Sequence, residues 1–145
     1  MFAPLLGLAL VIASGQEAPP PPAATAGVTG RYEQAMRCAG VMAATSALHA
    51  FTGDAEAKAR SDRNGRGFIT AATGFAQPLG LTEAQLSEAF AASTAQALGA
   101  ITRNPDQAAA DAAIDRLNAD HDGCLRLVQG WMAEANATPA PSTPS

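Results

Sequence analysis

Aromatic residues are scarce in this chain: one Trp, one Tyr and five Phe in 145 residues. Val and Ile are few as well, while alanine is abundant through the middle. Sheets are built from aromatic and β-branched side chains, so this balance disfavours them and suits helices. Histidine occurs only at His49 and His121, and Cys only at Cys38 and Cys124. A zinc centre needs three or four ligands at recognisable spacing, so none is expected. There is no C-x-x-C pair for thiol exchange, no G-x-S-x-G elbow, no phosphate-binding glycine loop and no dinucleotide fingerprint. Charge is sparse, and a net charge of −4 lacks the basic footprint of a nucleic-acid binder. We therefore expect a non-enzymatic protein with no cofactor and no nucleic-acid partner. A structural or protein-binding role is the class that remains, with the protein partner unknown.

What is present begins with an apolar run, Met1 to Ala13. It is shorter than the ~20 residues a membrane-spanning helix needs, and it has the length of the apolar core of a secretory signal peptide. Small residues follow, so cleavage after Ala13 or after Gly15 fits the signal-peptidase pattern. No Lys or Arg precedes the run, which departs from that pattern. The competing reading is a buried N-terminal helix. The proline tract at Pro19–Pro22 argues against it, because a core helix would not stop there. No Cys follows the run to carry a lipid anchor. The expected organisation is a signal peptide over 1–15, a Pro-rich disordered spacer over 16–30, a helical domain over 31–136 and a disordered tail over 137–145. The mature form is expected to have no transmembrane segment and to reside in the periplasm or outside the cell.

Export places the two Cys in an oxidising compartment, where the one possible pairing is Cys38 with Cys124. A loop of that size contributes about 4.5 kcal/mol by chain entropy, a large share for a small domain. Two separate buried thiols are the alternative, since free Cys is often buried.

Helical periods are legible in four segments. In the first, Arg31 to Phe51, the residues Cys38, Val41, Met42, Thr45, Leu48 and Phe51 share a face, and Gly53-Asp54 ends it. In the second, Ala55 to Gln77, Phe68, Ala72 and Phe75 recur at helical steps, with a break expected near Asn64–Gly67 where glycines weaken the helix. Pro78 and Gly80 close it. In the third, Thr82 and Gln85 form a capping box, Leu81 and Leu86 a hydrophobic staple, and Leu86, Phe90, Ala97, Leu98 and Ile101 the buried stripe. In the fourth, Asn104 caps, Pro105 opens, and Ala113, Leu117, Asp120, Cys124, Leu127, Val128 and Trp131 follow at three- and four-residue steps. The expected fold is all-α: a small up-down bundle of about four helices, with one disulfide joining the first and last.

The sharpest chemical alternative is calcium. Asn118, Asp120 and Asp122 stand at positions one, three and five of an EF-hand-like loop, with Gly123 at six. A poorer match begins at Asp62 and Asn64. Position twelve, a bidentate Glu in working loops, is Gln129 in the later match and Thr73 in the earlier one. Arg66 puts a cation where the earlier loop wants an anion. A polar helix face is the favoured reading of 118–123. His121 reads as a half-buried, hydrogen-bonded side chain, and Lys58, Arg60, Arg63 and Arg66, interleaved with acids, read as a solvated face.

The placement of Cys38 and Cys124 in the opening and closing helices, with the Gly80-Leu81-Thr82 turn and the Asp120–Cys124 segment, resembles a group of small, alanine-rich, exported bacterial proteins with two Cys and no assigned activity. The likeness covers Arg31 to about Met132. It implies a helical fold, a bridged Cys pair and the cell envelope, and it carries no catalytic residues. A looser likeness is to periplasmic acid-stress chaperones, which are also small, helical and singly bridged. That likeness would imply apolar surface exposed at low pH.

Overall fold

The computed structural model of the protein describes residues 23–103 and 106–137. These form α1 (Ala23–Thr52), α2 (Ala55–Ala76), a short 3-10 turn (Gln77–Leu79), α3 (Glu83–Thr102) and α4 (Gln107–Ala137). No strand occurs among the described residues. Residues 1–22, where a signal peptide and the start of the spacer were expected, Asn104 and Pro105, and the tail beyond Ala137 lie outside the described residues.

The all-α bundle is as expected, with helices packed on one another and the Cys38–Cys124 bridge joining the first and last. Several boundaries differ. The first helix begins at Ala23 rather than Arg31, so residues 23–30, expected as spacer, belong to α1. The prolines end at Pro22, and Ala23, Ala24 and Ala26 are strong helix formers that outweigh Gly27 and Gly30. The expected break near Asn64–Gly67 does not occur, and α2 is continuous. Gly65 is buried against α1, where a side chain would bring its Cβ within 3.3 Å of the Met42 Cβ. Close packing there offsets the propensity cost that the glycines impose.

The turns and caps follow local chemistry. Gly53 takes a positive φ of 77° and lets the chain reverse, and Asp54 accepts a hydrogen bond from the Ala57 N–H to start α2. Thr82 and Gln85 form a full capping box at the head of α3.

The core sits around α1, which packs against α2, α3 and α4. From Ala35 to Ser46 nearly every α1 residue is buried, with Arg37 the exposed exception, so this helix is enclosed on almost all sides rather than on one stripe. On α2 the buried residues are Ala57, Ser61, Gly65, Phe68, Ala72 and Ala76, at three- and four-residue steps. Small side chains at most of these positions let the two backbones approach closely. Gly40 does the same on the other side. A Cβ there would lie 2.6 Å from the Ser93 carbonyl carbon of α3. No α3 residue is fully buried, and α4 buries only Ala113, Leu117 and Cys124. Phe51, expected on the buried stripe, is 90% exposed. Residues 50–56, the tip of the α1–α2 hairpin, are all exposed.

Candidate functional site

Cys38 and Cys124 are both buried, and their Cα atoms lie 5.6 Å apart. The bridge is surrounded by Met42, Phe68 and Leu117, with Leu127 and Val128 packed at its margin. Each Cys lies on the inward face of its own helix, as the spacing predicted, and the fold brings the two faces together. No free Cys occurs among the described residues.

Asn118, Asp120 and Asp122 are all exposed and all lie within the uninterrupted helix α4. On a helix, side chains two apart do not face each other, so Asp120 points away from Asn118 and Asp122. The three side chains do not converge on one cation position. Asp120, expected on the α4 stripe, is exposed and instead lines a groove of about 340 Å³ bordered by α1, α3 and α4, alongside Arg37 and Arg116. The earlier half-match, at Asp62 and Asn64, also lies inside a continuous helix. His121 sits beside Asp122, with Nδ1 3.3 Å from Oδ1. His49 lies in the last turn of α1 and is partly buried.

Asp62 has a different role from the one its loop position implied. Its Oδ2 accepts a hydrogen bond of 2.7 Å from Lys58 Nζ, and its Oδ1 accepts one from the buried Ser46 hydroxyl of α1. The Lys58 bond, then the Ser46 bond, holds this carboxyl below the ordinary carboxylate range. Folding thus favours the ionised form. The stabilisation is complete above the ordinary value of 3.8 and is lost as pH falls through the lower folded value. Asp62→Asn should therefore lower the melting temperature at neutral pH and show a smaller fall on acidification than the parent. Melting curves recorded from neutral to strongly acidic pH check this, and parallel curves for both proteins would contradict it.

The basic cluster on α2 resolves into pairs and remainders. Lys58 bridges Asp62, and Arg60 bridges Glu56 one turn back. Such exposed pairs contribute little to stability. Arg63 and Arg66 are exposed and line two different grooves.

The residues that the periodic reading missed are those that border gaps between helices. A groove of about 510 Å³ opens where the end of α2, the following turn and α3 meet over α1. Met36, Ile69, Leu81, Leu86 and Phe90 give it an apolar lining, and Ile69 is 38% exposed. Leu86 and Phe90 were legible as the inward stripe of α3, but Ile69 lies off the α2 period, and its place at position eight of the earlier EF-hand-like match did not point to a groove. A second apolar groove lies between α2 and α4, beside Trp131. Among the described residues, no cluster of three His, Cys or carboxylate side chains is placed to hold a metal ion. No helix among them is long and apolar enough to cross a membrane. No protein-family model matches this chain, and neither a curated protein nor a solved structure does, so its own residues are the ground on which a function is read.

Proposed function

We propose that this protein is an exported, non-enzymatic helical module that binds an apolar, helical segment of another protein. The groove bordered by Ile69, Leu81, Leu86 and Phe90 carries this reading. It is open and apolar, and it lies between two helices, the form in which an amphipathic partner helix is commonly received. Two features support export. The apolar run Met1–Ala13 has signal-peptide length, and a disulfide persists where the environment is oxidising. The groove's walls belong to helices that pack directly on α1, and a preformed wall reduces the ordering cost of binding.

A photoreactive amino acid at Ile69, with the exposed Ala119 of α4 as the control position, tests the binding reading in exporting cells. The expected result is a discrete protein adduct from position 69 that is missing from position 119. No adduct at 69, or the same adducts from both positions, would overturn it. Intact mass spectrometry of material recovered outside the cytosol tests export. It should show the N-terminal segment removed and a mass two hydrogens below that of the reduced form.

A further inference from the structure

The groove between α2 and α4 differs from the first in having a cation at one end. Phe68 and Trp131 form its floor, with Leu125 and Val128 on the α4 side and Gly67 on the α2 side. Trp131 packs edge-on against both Phe68 and Phe75, with ring centroids 6.4 and 5.6 Å away. It therefore lies level with the helical turns between those two residues. Arg63 is about two turns further along α2, about 12 Å away at the rise of a helix. Asn64 and Gln129 add amides to the lining. Among the described residues, Arg63 forms no ion pair, whereas Lys58 and Arg60 on the same helix each bridge an acid. The volume, about 440 Å³, lies in the range of small-molecule pockets, roughly 300–1,000 Å³. Such pockets combine an apolar lining with a few placed polar groups.

We propose that this groove is a binding site for a small amphipathic carboxylate with a medium-length apolar tail. The carboxylate is received by Arg63, whose planar fork matches it in shape and charge, with the amide of the neighbouring Asn64 in the same lining. One guanidinium and one neutral amide suit a singly charged head. The tail lies over Phe68 and reaches Trp131. Gly67 keeps the space open: a Cβ added there meets nothing within 4 Å. A larger side chain at this position fills the groove without straining the helix. This site is separate from the groove that carries the proposed protein-binding role, and neither depends on the other.

Trp131 is the one Trp in the chain and lines this groove, so its fluorescence reports on the groove's occupancy. Decanoate, kept below the onset of micelles, should shift Trp131 emission saturably. Decyl alcohol and decylamine should bind at least about tenfold more weakly, the factor that one charge-assisted hydrogen bond contributes. Arg63→Gln should weaken decanoate by a similar factor and leave decyl alcohol unchanged. Gly67→Leu should abolish the shift for all three compounds while its circular dichroism and melting temperature stay at or above the parent's. No saturable shift with decanoate would overturn the proposal. So would equal affinity for decanoate and decylamine, or unchanged binding in a folded Gly67→Leu variant.

Discussion

Replacing both cysteines, Cys38→Ala with Cys124→Ala, should lower the unfolding free energy by about 4.5 kcal/mol, the chain-entropy value for a loop of this length. The bridge spans a sequence separation of 86 and ties down most of the folded chain. Total stability for a domain of this size is about 5–15 kcal/mol, so the variant should approach marginal stability. The loss should not be uniform. Helix α4 buries only Ala113, Leu117 and Cys124, and one of these is half of the bridge. Helices α1 and α2 bury far more and meet along their length. Amide exchange should show α4 deprotected first, with α1 and α2 retaining protection to higher denaturant. Urea unfolding of the parent and the double variant, both in the absence of reductant, measures the total. A difference below about 1 kcal/mol would show that the bridge does not hold the bundle together. Equal loss of protection in all helices would show that α4 is not the element it secures.

At the α1–α3 crossing, Gly40→Ala should cost about 3 kcal/mol, the upper range for adding a methyl group to a packed core. The added Cβ would lie 2.6 Å from both the carbonyl carbon and the Cβ of Ser93, and 2.8 Å from its carbonyl oxygen. Two of those atoms are backbone, so no change of rotamer relieves the contact, and α3 must move away from α1. Helix α3 has no fully buried residue and depends on this approach to bring Phe90, Ala97 and Leu98 against the core. Ser93→Gly combined with Gly40→Ala should recover only part of the loss, because the backbone contact persists. Gly74→Ala is the matched control. Its Cβ meets nothing within 4 Å, and the gain in helix propensity should stabilise the protein by about 0.5–1 kcal/mol. Thermal melts of the three variants against the parent decide the matter. A Gly40→Ala protein as stable as the Gly74→Ala control would mean that α1 and α3 do not approach this closely.

The glycines show how far a one-dimensional reading extends. Gly40, Gly65 and Gly67 look alike in a propensity table, and each lowers the expectation of a helix. In the bundle they do different things. Gly40 admits the backbone of α3, Gly65 sits against Met42, and Gly67 faces open space at the edge of a groove. The calcium-like segment shows the same limit from the other side. Asn118, Asp120 and Asp122 have loop spacing, yet the apolar period through Leu117 and Cys124 holds them in a helix and separates their directions. Ser46 and Asp62 met through the antiparallel pairing of α1 and α2, which no local motif announced.

Local chemistry was enough to place the helices and most of their ends. Asp54 and Thr82 cap α2 and α3 because a side-chain oxygen reaches an amide only three residues on, a contact that needs no tertiary partner. The period of the apolar residues likewise assigned Cys38 and Cys124 to inward faces, and oxidation left one pairing open to them. The depth of burial of α1, the exposure of Phe51, the closeness at Gly40 and the grooves beside Ile69 and Trp131 came from the crossing of helices. Those features depend on distances between segments remote in the chain. Such distances follow from the simultaneous packing of all four helices, which no window of a few residues contains.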